Sequence, residues 1–549
     1  MDRWSLSATL LNVALIASAA AAQDLPLHRA IDDFVVKAGG EVADSAQRAS
    51  DAEFQRRVTL DLTGRIPTLE AVRDFLSDKS AGKRANLIDQ LLAAREFPGR
   101  MASALDVMLM ERRGEDDAWR GWLTQSISEN KPWNQLVHEL LDPDAEDEAT
   151  RAAAFFMTKR LEKYGQNPTD FPGLTRDIGR MFLGFDLQCA ECHDHLFISD
   201  YKQVDFQGLF TVYKNTFVRR DVKFPAIGEK AMTEPLEFVS VFDPTKQKTG
   251  PRVPLGRDFK IPEGITPSKN PKDALPRPEF SAVSLIAREL TQTGNRQFAR
   301  NAVNRFWFLL MGRGLVHPLD IHHADNPPSH PILLERLTDD FIAHKFDLKW
   351  LLREIVLSKT YQRSSQWTGE ALPTESSFLV AIEKRLSAEQ LTDSILVATG
   401  ELGRLTAESK KALEKESKEK PDTTDEDAMP PLTLEAVQKA FKTAFANAAR
   451  EPEDTVSSTV KGALFWRNSV PVQQLLCRRP GNLIDRLITR TDNAKMAEEL
   501  YLNVLSRRPS PEESKLIVDF VAGYAERREL AIRDAAWALL TSAEFYVNH

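Results

Sequence analysis

Three cysteines are spread over 549 residues, and two of them fall in one five-residue run, Cys189-Ala190-Glu191-Cys192-His193. With Cys477 isolated, the chain has no disulfide framework, so its stability must come from buried apolar surface. A chain of this length can bury enough for two or three domains. The run also constrains the chemistry. Two thiols three positions apart, with a histidine directly after the second, have the spacing of c-type haem attachment. Each sulfur adds to one porphyrin vinyl group, and His193 ligates the iron as the proximal ligand. Two other chemistries suit these residue types. Cys189, Cys192, His193 and His195 are competent zinc ligands, although the two histidines are close together for a tetrahedral site. Cys189 and Cys192 also suit a disulfide or redox pair.

The first residues read as a Sec-type signal peptide over 1–22. Arg3 supplies the charge, Leu10 to Ile16 the apolar core, and Ala20-Ala21-Ala22 a small-residue cleavage site before Gln23. The expected location is therefore periplasmic or secreted, where c-type haem is attached; retention of the segment as an uncleaved anchor is the alternative. No later apolar run is long enough to span a bilayer. The net charge of -8 is mild and no basic patch with interleaved aromatics occurs, which argues against nucleic acid as a partner. The chain has no Gly-rich phosphate loop, nucleophile elbow or His-Glu-x-x-His helix.

Helical periodicity dominates, so the expected fold is mainly α, with two domains and a small β-containing connector. The N-terminal helical domain is expected over 27–213. Thr68 is placed to cap a helix running to Phe75, with Glu70 in its first turn. Residues 85–95 and 175–184 have helical spacing. Over 214–277 the β-prone Val218, Val222, Phe224, Leu236, Phe238, Val239, Val241 and Phe242 alternate with prolines and predict short strands. A C-terminal helical domain follows over 278–549, with a flexible insertion at 405–431, where Lys, Glu, Asp, Thr and Pro predominate. Leu60 to Thr68 echoes Leu502 to Ser510: in both, a helix ends, a proline turn follows and a capped helix begins.

Around the motif, Ile178, Met181, Phe182, Phe197, Phe206, Leu209 and Phe210 are candidates for apolar walls about a porphyrin. The sixth iron ligand is not fixed by spacing. His330 and His195 are the leading candidates, ahead of His317, His322, His323, His344, Met157, Met181 and Met311. Residues 304–331 read first as a rigid helix connection, with Gly312 ending one helix and Ser329 capping the next. The functional alternative uses Arg300 and Arg305 to hold haem propionates or an anionic substrate, with His322, His323 and Asp325 lining the site.

Residues 54–75, with Leu60-Asp61-Leu62-Thr63-Gly64 and Pro67-Thr68, and the segment Cys189-Ala190-Glu191-Cys192-His193-Asp194-His195-Leu196-Phe197 resemble the N-terminal domain of a planctomycete-type family of secreted, cytochrome-like two-domain proteins of unknown function. Residues 296–364, Arg385 to Leu391 and the closing Trp537 to Phe545 resemble its C-terminal partner domain. Leu196 stands where that family usually has proline, and His322-His323 where it more often has an aromatic and a basic residue. The resemblance implies a cytochrome-like domain and leaves the activity open.

The expected function is that of an exported protein with one covalent haem c on Cys189, Cys192 and His193. It would handle electrons with a redox partner protein, as a carrier or within an oxidoreductase acting, for example, on carbohydrate. The alternative is a non-enzymatic secreted helical scaffold whose Cys/His motif binds zinc or closes a disulfide.

Overall fold

The computed structural model describes residues 25–266, 277–416, 432–451 and 460–549. The fold is mainly α, as expected. Among the described residues the chain forms two compact units, and neither is a single continuous stretch: one comprises those up to 46 and those within 105–382, the other those within 47–104 and 383–549. This differs from the consecutive domains expected at 27–213 and 278–549. Helical periodicity shows which face of a helix is buried, but carries no information on which distant helix covers it.

The first unit is built about the sixteen-residue helix Arg296–Met311. Asn295 caps its start, accepting from Phe298 N, and Gly312 ends it in the left-handed region. Ala299, Ala302, Val303, Phe306 and Leu310 form its buried side. Helix Pro331–Ala343 packs against it, and helix Leu27–Gly39 packs on Pro331–Ala343 and Leu348–Leu357. Asp32 fixes that first helix by accepting from Lys359 N, Thr360 N and Thr360 Oγ1 at 2.8–3.0 Å. The connector contains the expected strands as two antiparallel pairs, Thr216–Val218 with Ile227–Glu229 and Leu236–Phe238 with Gln247–Thr249.

In the second unit, helix Asp51–Thr63 ends at Gly64 (φ 77°), and Thr68 caps Leu69–Ser77 by accepting from Ala71 N. Its echo is also there: helix Asn493–Val504 is followed by Pro511–Gly523, which Ser510 and Glu513 start with a capping box. The two echoed hairpins meet through Leu69–Ser77 and Asn493–Val504. A third strand pair, Lys384–Arg385 with Val547–Asn548, was not anticipated. The insertion expected at 405–431 is helical over its first part, within Leu402–Glu416, because Leu405 is fully buried and anchors that helix. The rest of the insertion, and the signal segment at 1–22, lie outside the described residues.

Candidate functional site

The path to the cysteine motif begins with helix Phe171–Ile178, capped by Asp170, which widens into a π-turn over Gly179–Leu183. Helix Arg296–Met311 braces its carbonyls: Arg305 Nη2, Asn301 Nδ2 and Gln297 Nε2 donate to those of Arg180, Met181 and Leu183 at 2.8, 2.8 and 2.6 Å, and Arg180 O also keeps its helical bond from Gly184 N at 3.0 Å. Gly184 then turns the chain at φ 73°, and a Cβ there would lie 2.6 Å from the His322 ring. His322 N closes the corner on Gly184 O at 2.9 Å.

Cys189–Glu191 is a single 3₁₀ turn. Ala190 is its buried anchor, and the flanking cysteines are consequently exposed. Both carry free thiols. Glu191 pairs with Arg176, and its carbonyl accepts from Gln207 Nε2 on helix Gln203–Tyr213 at 2.9 Å.

The next three residues do three different things. His193 Nδ1 lies 2.6 Å from the Asp194 carbonyl, which can only accept; Nδ1 therefore carries the proton and Nε2 keeps its lone pair. A metal-binding imidazole is usually held by such a second-nitrogen bond. Asp194 Oδ1 accepts from Gln203 N at 2.9 Å, satisfying a first-turn donor of the following helix. His195 Nδ1 accepts from Phe197 N and Ile198 N at 3.2 and 2.9 Å. A neutral His195 thus carries its proton on Nε2 and cannot offer iron a lone pair without releasing that loop.

Four large apolar side chains near the thiols are exposed, beside the exposed polar Gln188 and Asp194. Leu196, Phe197, Val241 and Phe242 are 64%, 85%, 66% and 68% exposed. Val241 N donates to Cys192 O at 3.0 Å, and the Phe242 ring lies 4.7 Å from that of His193. Val241 and Phe242 belong to the connector and were read only as strand-forming. They follow the last residue of strand Leu236–Phe238, and an apolar pair outside any strand was the signal that could have found them.

Of the expected porphyrin walls, Phe197 alone is widely exposed. Ile178, Met181, Phe182, Phe206 and Leu209 are buried in the protein's own core, and Phe206 stacks on Phe210. Several other ligand candidates are buried or engaged elsewhere. His330 is buried, its Nδ1 3.1 Å from Ser329 Oγ and its ring against Phe378, and it is itself the cap residue of helix Pro331–Ala343 in place of Ser329. Burial, with Arg300 and Arg305 nearby, pushes His322 down to about 3, and the Gln297 and Asn304 amides hold its ring. Met157 and Met311 are buried, Met181 Sδ faces Arg160, and His344 stacks on Trp350.

Arg305 is committed to Arg180 O and Asp320, and Arg300 to Glu335, so neither is placed for propionates. The rigid-connection reading of this segment holds: Asn304 bonds both the carbonyl and the N–H of Val316 at 2.8 and 2.9 Å. Among the described residues no group of three or more His, Cys, Asp or Glu side chains is arranged to hold a metal ion. No helix among them is long and apolar enough to cross a membrane.

The donor set fits a covalently attached haem: two exposed free thiols on one turn, an imidazole with Nε2 open, and uncovered apolar side chains beside them. Residues 30–217 match a family model described as PSCyt2, protein of unknown function (DUF1549), and residues 284–521 match PSD1, protein of unknown function (DUF1553). Together they give a two-domain family of unknown function. Each matched region contributes to both compact units. No curated protein and no solved structure matches the chain.

Proposed function

We propose that this is an exported protein carrying one haem c on Cys189 and Cys192, with His193 beneath the iron, and that it passes electrons to or from a redox partner. The observation that carries the reading is the uncovered apolar group formed by Phe197, Leu196, Val241 and Phe242 next to two exposed thiols and an imidazole with a fixed tautomer. Attachment needs no oxidant. Each S–H adds across one vinyl C=C, so an S–C bond forms, the π bond breaks and the hydrogen goes to the adjacent carbon. The bound group would supply a one-electron couple. The chain's own part is to hold the thiols on the Cys189–Glu191 turn, orient His193 through the Asp194 carbonyl, and cover the porphyrin edge with Phe197 and Phe242. The expectation that the protein works as a carrier or within an oxidoreductase rests on this same site.

Expression with and without the cytochrome c maturation machinery tests the reading. The matured protein should gain the mass of one haem, show a Soret band, and keep haem staining after denaturation. C192S should retain at most one thioether, and C189S with C192S none. A matured protein with only the polypeptide mass overturns the proposal.

A further inference from the structure

The second compact unit contains a cavity of about 310 Å³, large enough for a small metabolite. Two stretches far apart in sequence meet there. One is the end of helix Asp51–Thr63 with the segment after it; the other is the first turns of helix Ala388–Thr399. They are joined by Gln390 Nε2 donating to Leu60 O at 3.0 Å and by Ile66 N donating to Ser394 Oγ at 3.3 Å.

Two lining side chains carry opposite charges and are not joined in a close ion pair, although each feels the other's charge and Arg100 also feels Asp61 and Glu389. Arg100 donates through Nε to Asp61 O at 3.4 Å, and its two terminal nitrogens have no hydrogen bond or ion pair among the described residues. Its position is built in, because Gly64 has no Cβ: one placed there would stand 2.9 Å from Arg100 Cδ. Asp393 likewise has no hydrogen bond or ion pair among the described residues, although Arg65 in the same lining is matched to Glu96 at 2.7 Å. Burial raises the Asp393 carboxyl to about 6, against the pull of Arg65 and Arg100. Glu389, one turn earlier, adds acidity on the Asp393 side.

A guanidinium and a carboxyl that face one cavity and do not pair with each other are complementary to a dipolar ligand. We propose that this cavity binds a small zwitterion, an α-amino acid, with its carboxylate on Arg100 and its ammonium on Asp393. A planar guanidinium is the favoured partner of a carboxylate, and the acidic wall formed by Asp393 and Glu389 favours an ammonium over a second anion.

The test uses the mature full-length protein. The twenty common α-amino acids are screened by thermal shift, and the best is measured by calorimetry beside its N-acetyl and carboxamide derivatives, which remove one charge each. We expect saturable one-to-one binding that weakens about tenfold or more on either derivatisation, as loss of a charge-assisted hydrogen bond implies. R100Q should weaken the parent ligand while leaving the carboxamide unchanged. D393N should do the same for the N-acetyl derivative. The derivatives keep the test valid if a variant folds poorly. The proposal is overturned if no amino acid binds, if both derivatives bind as well as the parent, or if both folded variants bind normally.

Discussion

His193, Asp194 and His195 show how much one short run can specify. One imidazole has its Nε2 open, the carboxylate starts the next helix, and the other imidazole is spent organising a loop. Composition would assign both histidines to ligation; hydrogen bonding separates them. Gly184 is equally local in effect. G184A must adopt a positive φ and meets both His322 and Asn301, so it should lose roughly 2 kcal/mol or more. G165A, at φ 57° with open space around it, should lose only about 1 kcal/mol. Urea unfolding of the pair checks this, and equal losses would remove the steric argument. Asp393 makes a pH prediction. Burial raises it to about 6, with Arg65 and Arg100 pulling it down and Glu389 pushing it up; unfolded, it sits near its ordinary value of about 4. Between those values the folded chain holds a proton that the unfolded chain has released, so its contribution to stability declines as pH rises. The Tm of D393N relative to wild type should therefore climb from about pH 4 to 6 and level off beyond. A difference that does not change over that range contradicts the assignment.

Among the elements, the π-turn Gly179–Leu183 depends most on its neighbours. Its carbonyls are held by side chains of Arg296–Met311, and its flanks by a buried charge cluster. Asp177 accepts from Arg113, Arg160 and Arg180 at 2.9, 3.0 and 3.1 Å. Burial alone would raise Asp177, but Arg160, Arg180 and Arg113 together hold it below its ordinary range. Arg160 is fully buried, so removing its partner leaves an uncompensated charge. D177A should cost about 3–5 kcal/mol in chemical denaturation. A loss below 1 kcal/mol would mean that Glu111 and Asp320 already balance the cluster. The connector shows the opposite balance. Its strands were legible because β-prone residues and prolines are local signals, yet what it contributes to the site, Val241 and Phe242, lies just beyond the strands.

At the scale of the whole molecule, each compact unit draws on both family-matched regions, so neither region owns a complete core. A fragment of residues 30–217 contains parts of both units and all of neither. It should show helical far-ultraviolet circular dichroism without the near-ultraviolet signal of fixed packing. A cooperative, native-like fragment would contradict the division. What the sequence by itself determined was whatever neighbours along the chain decide: the helical class, the caps at Thr68 and Ser510, the turn at Gly312, the strands of the connector, and the thiol and imidazole spacing of residues 189–193. Tertiary structure alone decided which polar side chains were already spent. It committed Arg300, Arg305 and His322 to other partners, buried His330, and brought Arg100 and Asp393 to one cavity from nearly three hundred residues apart. The reason is physical: a cap or a helical face is set by interactions over a few residues, whereas burial and hydrogen-bond partnership depend on chain segments whose separation leaves no periodic trace.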